Sequence, residues 1–224
     1  MNKHCNKVSY SEALKVNAIL HKLNQDLRDY IYKIDEDLYM IKHPFVTTLL
    51  VGDIDVVNKL YVRKMAIVGN ALNKRDYEKA VSFIEKPFRA DYLNLMKTSI
   101  SGLNLLKLIK CVWIDSEYIN MKTWEEIFVY IQESGLSLYE AMNKNEKKTL
   151  EDLFKDNEKI IVYRGYSSTH NNKKGYSFTL EQKLAQWFST RFETDKEPEI
   201  FEIEIKKSDV MAYFSHEKEI LVRI

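Results

Sequence analysis

The sequence predicts an α+β protein: a helical N-terminal region over residues 1–150, followed by a compact, strand-rich region over 151–224. Three observations carry this. Apolar residues recur near helical spacing through the first two thirds. Near Lys159 the texture changes to short β-branched runs bounded by glycine and polar residues. Within that last third "EIFEIEIKK" alternates strictly, which a helix does not tolerate and a half-buried strand requires.

The elements follow in chain order. Ser9-x-x-Glu12 has the form of a capping box, and Leu14, Leu20, Leu23, Leu27, Tyr30, Ile31 and Ile34 then recur near helical spacing. Pro44 and "VGD" at Val51 to Asp53 interrupt the pattern. Further helices are predicted from near Asp53, Arg75, Ala90 and Thr123, with breaks at Pro87 and around Gly135. "LSLYEAMNKNEKKTLEDLF" reads as one more, strongly charged helix. After Lys159, "KIIVYRG" and "GYSFT" read as strands, and "LEQKLAQWFSTRF" as a helix with Leu180, Leu184, Trp187 and Phe188 on one side. "EIFEIEIKK" places Phe201, Ile203 and Ile205 inward and Glu202, Glu204 and Lys206 outward, and "DVMAYF" and "EILVRI" complete the strands.

Composition narrows the function. Lys and Arg number 34 against 33 Asp and Glu, so no global basic field exists to hold nucleic acid by bulk charge. Cys5 and Cys111 match no metal or redox spacing and are expected as thiols of a reducing compartment. The N-terminus has no apolar segment of a secretory signal, and no apolar run is long enough to cross a bilayer, so a cytoplasmic protein without a membrane partner is expected. His4, His21, His43, His170 and His216 assemble no metal-binding spacing, and no metal is expected. Phosphate-loop, serine-hydrolase and cysteine-protease signatures are absent.

The chain closes on "SHEKEILVRI". If its apolar run is a strand, Glu217 and Glu219 project from one face, and their repulsion needs a cation, a hydroxyl or a ligand to offset it. Glu202-Ile203-Glu204 has the same spelling but sits inside a regular amphipathic strand, where it reads as a solvated face. Two further groups precede the terminal pair: Arg164 at the end of "VYRG", and Ser177-Phe178-Thr179 in "GYSFT" running straight into a helix.

In this order, and over roughly residues 159 to 224, these motifs resemble the R-S-E class of mono-ADP-ribosyltransferases, as found among bacterial toxins and phage enzymes. The resemblance implies an ADP-ribosyltransferase-like split mixed β-sheet core with NAD as co-substrate and no metal. It implies catalytic Glu219, Glu217, Arg164 and Ser177. Cofactor contacts would come from Arg164, Gly165, Ser177, Phe178, Thr179 and Glu219, and acceptor contacts from Glu217, Tyr213 and Phe214. The short link "GYSSTHNNKK" is compact for the class, and Ser167, Ser168, Asn171 and Asn172 are candidates to line the nicotinamide side.

The chemistry needs such residues. Cleaving the nicotinamide–ribose bond develops oxocarbenium character, which a fixed carboxylate stabilises. Guanidinium makes the paired, charge-assisted hydrogen bonds that suit pyrophosphate. In this class a glutamate two positions before the catalytic one goes with transfer to arginine, and a second carboxylate can orient a guanidinium and take up its proton. A protein acceptor, arginine in particular, is therefore expected ahead of a nucleic acid. Two other readings share the same residues: an NAD glycohydrolase, with water as acceptor, and an inactive interaction protein of this fold. The N-terminal region is open to target recognition, self-inhibition or plain structural support.

Overall fold

The computed structural model describes residues 6–16, 18–36, 38–50, 53–116, 120–166, 175–191 and 199–223. It is an α+β protein that divides into two compact units, one of Met1–Ile100 with Cys111–Trp124 and one of Ser101–Lys110 with Glu125–Ile224. The division therefore falls elsewhere than between residues 150 and 151. Residues 101–110 and 125–150 of the predicted helical region belong to the unit that carries the C-terminal strands.

The first unit departs from the helical expectation. After α1 (Tyr10–Val16) and 3₁₀ turns at Ala18–Lys22 and Gln25–Tyr30 come β2 (Ile31–Asp35), β3 (Leu38–His43) and β4 (Val46–Leu49). With β1 (Asn6–Lys7) they form an antiparallel meander in the order β1-β2-β3-β4. Ile31 and Ile34, spaced as if on a helix, lie on a strand instead. The downstream segment decides this: Leu38–His43 alternates between half-buried and buried side chains, with Tyr39, Ile41 and His43 buried. That pattern offers β2 a partner in register, Ile31 opposite Ile41 and Tyr32 opposite Met40. A short apolar run satisfies either period locally, and the pairing partner breaks the tie.

Four further helices were anticipated near the right places. Asp53 caps α2 (Ile54–Asn73) by accepting from the Asp55 amide, and Asp76 caps α3 (Tyr77–Ser82) through the Lys79 amide. α4 (Arg89–Met96) and α6 (Met121–Glu133) follow, with α5 (Gly102–Ile114) between them. The unit packs Leu20, Leu23, Leu27, Ile31, Tyr39, Ile41, Val46, Ile54 and Tyr61 into one core. Within that core His43 is ringed by Tyr30, Phe45 and Tyr61, at 4.4, 5.4 and 5.2 Å between centroids. Its Nδ1 accepts from the Phe45 amide, and burial pulls its pKa down, with Asp26 opposing.

In the second unit the charged helix is split. A 3₁₀ turn covers Leu138–Ala141, and α7 (Lys144–Leu153) begins afresh at an Asn143/Glu146 capping box. The predicted strands appear in order: β5 (Lys159–Tyr166), β6 (Ser177–Thr179), α8 (Gln182–Thr190), β7 (Glu199–Lys206), β8 (Val210–Phe214) and β9 (Glu219–Val222). The five strands form a sheet in the order β7-β5-β6-β9-β8 with every pair antiparallel. β7 keeps its predicted phase, with Glu202, Glu204 and Lys206 exposed. Of the predicted stripe, Leu180, Leu184 and Phe188 are half-buried and Trp187 alone falls outside it. Ala185 and Ser189 are the buried residues of α8, and Trp187 is 51% exposed with Arg191 stacked over its ring. The small side chains win that face because β5 presents Gly165 there, leaving no room for a larger one.

Candidate active site

Sheet order makes the site. β6 lies between β5 and β9, so the strand with the serine motif is hydrogen-bonded on one side to the arginine strand and on the other to the glutamate strand. Tyr163 pairs with Thr179, and Thr179 with Glu219, while Ser177 pairs with Leu221. Ser177 and Glu219 therefore share a pleat face as diagonal neighbours, a separation that a glutamate side chain spans.

Arg164 joins them by another route. It pairs with Phe201 of β7, one residue on from Tyr163, so by the pleat it leaves β5 on the opposite face from the row Tyr163–Thr179–Glu219. Its guanidinium reaches the group around the start of β6, where Nη1 donates to the Ser177 carbonyl oxygen at 2.7 Å. Gly175 leaves the space for it. A Cβ there would lie 2.5 Å from Nη2 and 2.6 Å from Cζ of Arg164. Burial pulls the Arg164 pKa below its ordinary value, and the charge of Glu219 pulls it back up. A guanidinium remains a cation throughout the physiological range. The result is a half-buried guanidinium, directed by a backbone carbonyl, within electrostatic reach of a half-buried carboxylate.

Other predicted cofactor contacts are structural. At Gly165 a Cβ would stand 1.7 Å from the Ala185 carbonyl oxygen, so this glycine lets α8 lie directly on β5. Phe178 is 2% exposed, and its ring lies 6.4 Å from that of Phe201, which makes it core. Thr179 is buried, and its Oγ1 accepts from the Glu181 amide at 3.2 Å, a local turn that starts α8. Gly165 has no side chain and the Phe178 ring lies in the core, so each has only backbone groups to offer a cofactor.

The acidic pair is also arranged differently. Ser215–Glu217 forms a 3₁₀ turn, Lys218 adopts a left-handed conformation with φ 48° and ψ 39°, and Glu219 opens β9. The two carboxylates are thus separated by a chain reversal and do not share one strand face. Glu217 is exposed and Glu219 half-buried, a division that relieves their repulsion more cheaply than a counter-ion would. Lys218 itself bonds Glu181 on the neighbouring turn, which raises its pKa. Tyr213 and Phe214, predicted as acceptor contacts, are 6% and 1% exposed, buried on opposite faces of β8. The decoy Glu202–Glu204 is exposed, with Glu204 3.2 Å from Lys159.

Ser167, Ser168, Asn171 and Asn172 lie outside the described residues. Among the described residues no cluster of three or more His, Cys, Asp or Glu is placed to hold a metal, and no helix is long and apolar enough to cross a membrane. Gly175 escaped the sequence reading, although a glycine two residues before a serine motif is a signal for close approach. Glu146 escaped it too, its capping-box spelling suggesting only a helix start. Compared with known proteins, the chain matches no family model, no curated protein and no solved structure.

Proposed function

We propose that the protein is a mono-ADP-ribosyltransferase that moves ADP-ribose from NAD to a protein acceptor, with arginine as the acceptor side chain. The observation that carries this reading is the convergence of a half-buried Arg164, the Ser177 segment and Glu219 on three adjacent strands, with Gly175 giving the guanidinium its place. A guanidinium makes the paired, charge-assisted hydrogen bonds that suit the pyrophosphate of NAD.

In this reading the bond from ribose C1′ to the nicotinamide nitrogen breaks, and its electron pair leaves with the ring, which becomes neutral. Glu219 stabilises the positive charge that develops on the sugar, and Ser177 steadies that carboxylate from its diagonal position. The acceptor nitrogen then bonds C1′ and gives up a proton. Glu217, exposed on the preceding turn, is placed to take it. A protein acceptor is favoured over nucleic acid because the net charge is +1 and the group nearest the acceptor is a carboxylate.

Burial of Tyr213 and Phe214 favours a second reading, NAD hydrolysis with water as acceptor, because it removes the aromatic contacts expected for a protein substrate. Incubation with labelled NAD and cell lysate separates the two. Hydroxylamine-sensitive label on lysate proteins, absent with Glu219→Gln, is expected for the transferase. Release of nicotinamide with no label on protein, RNA or small molecules selects the hydrolase. No turnover and no NAD binding would sink both readings.

A further inference from the structure

The geometry points to Glu146 as a positioning residue that fixes the turn carrying Glu217 and leading to Glu219, an inference whose catalytic half rests on the function proposed above. Glu146 is 3% exposed, unusual for a residue in the first turn of a charged helix. One carboxylate oxygen, Oε2, accepts from the Asn143 amide at 2.8 Å and from Lys110 Nζ at 2.5 Å. The other, Oε1, faces away from its own helix and accepts from the Ser215 amide at 3.2 Å and the Ser215 hydroxyl at 3.3 Å.

A capping box alone uses one of these oxygens and leaves the other to water. Here the second oxygen is spent on residue 215, the first of the 3₁₀ turn Ser215–Glu217. The residue before the turn is held by the same ion pair. Phe214 is buried, and Lys110 Nζ lies 5.1 Å from its ring centroid while also reaching the Ala141 carbonyl oxygen at 3.5 Å. Lys218 then reverses the chain in the left-handed region, a conformation that needs support in a residue with a side chain. Burial pushes the Glu146 carboxyl pKa up. The hydrogen bonds from Lys110 and the two amides, with the charge of Lys110, more than offset this and hold it below its ordinary value, so it stays an acceptor for all four donors.

A buried ion pair is a poor source of stability and a good source of fixed geometry. What this pair fixes is the start of the segment in which Glu217 points to solvent and Glu219 enters the sheet.

The test is Glu146→Gln, which turns into an NH2 donor one of the two oxygens that now accept from the Asn143 and Ser215 amides separately. Lys110→Met/Glu146→Gln accompanies it, so that an uncompensated lysine does not unfold the protein. Asn143→Ala is the control, since it removes the side-chain cap of α7 and leaves both oxygens of Glu146 in place. For Glu146→Gln or the double variant the expected result is faster hydrogen exchange at the Ser215 amide, on the order of tenfold. With it kcat for nicotinamide release falls about tenfold to a hundredfold, and KM for NAD stays within about twofold. Unchanged exchange at Ser215 in both variants overturns the inference, whatever the activity. An equal fall in kcat for Asn143→Ala also overturns it, because helix capping then explains the effect. If the wild type does not turn over NAD, the proposed function fails and takes the catalytic half with it. The exchange at Ser215 then still decides whether Glu146 holds the turn.

Discussion

Gly165→Ala is the substitution whose outcome the structure constrains most tightly. The added methyl would sit 1.7 Å from the Ala185 carbonyl oxygen and 2.8 Å from both the Ala185 carbonyl carbon and the Ser189 amide nitrogen, all backbone atoms of α8. No rotamer relieves a clash with backbone, so β5 and α8 must part by more than an ångström. Ala185 and Ser189, now packed against the strand, would be left over a gap. Overpacking of this kind costs about 1–3 kcal/mol, and the rigid backbone on both sides places it near the upper end. For a unit of roughly a hundred residues that corresponds to a fall in Tm on the order of 10 °C. The comparison is Gly69→Ala, in the interior of α2 with nothing within 4 Å of the new methyl, which should stabilise by about 0.5–1 kcal/mol through helix propensity. Urea denaturation of the two variants, with hydrogen exchange of β5 and α8 to localise the effect, measures both signs. A Gly165→Ala protein within about 0.5 kcal/mol of wild type would refute the packing account.

Other outcomes follow from the same geometry. At Gly175 the clash is with the movable tip of Arg164, so Gly175→Ala should raise KM for NAD about tenfold or more while costing less stability than Gly165→Ala; steady-state kinetics beside a melting curve checks this. Glu217→Gln should abolish hydroxylamine-sensitive label on protein while nicotinamide release persists, because the residue stands on the turn outside the sheet; equal loss of both would return Glu217 to the cleavage step. His43 is held neutral by burial, so its folded pKa lies below the unfolded one and the unfolded chain binds the extra proton. Stability of the first unit should therefore decline as pH falls from above the ordinary histidine value of about 6.5 toward the folded value, and His43→Phe should flatten that slope in urea titrations against pH. Glu146 acts the same way at lower pH: its contribution is complete above the ordinary carboxylate range and is lost as pH falls through its depressed folded pKa, which Glu146→Gln should remove.

How much of this was legible without the fold differs from element to element. The C-terminal strands were, because alternation in "EIFEIEIKK" and glycine-bounded β-branched runs record a two-sided environment directly in the residue order. The capped helices at Asp53 and Asp76 were too, since a cap is a local interaction between neighbours in sequence. The meander was not. Ile31 and Ile34 satisfy a helical period until Leu38–His43 is available to pair with their segment, Ile31 opposite Ile41, and that partner acts through hydrogen bonds no window of sequence contains. The place of Trp187 in the α8 stripe was misjudged for a similar reason: it is the larger hydrophobe, but the surface offered to the helix is Gly165, which admits only small side chains.

The candidate site divides along the same line. Sequence by itself determined which residue types are present and in what order, Arg164, then the serine motif, then the glutamates, because the chemistry of a clamp and a carboxylate is written in side-chain identity. Tertiary structure decided which of them meet. Inserting β6 between β5 and β9 joins Ser177 and Glu219 on one face and brings Arg164 around the strand end beside Gly175. The turn at Lys218 separates Glu217 from Glu219, while a carboxylate 69 positions earlier in the chain than Ser215 holds that turn in place. Proximity between distant segments is set by how buried faces and backbone hydrogen bonds are satisfied together, and only the folded chain solves that condition.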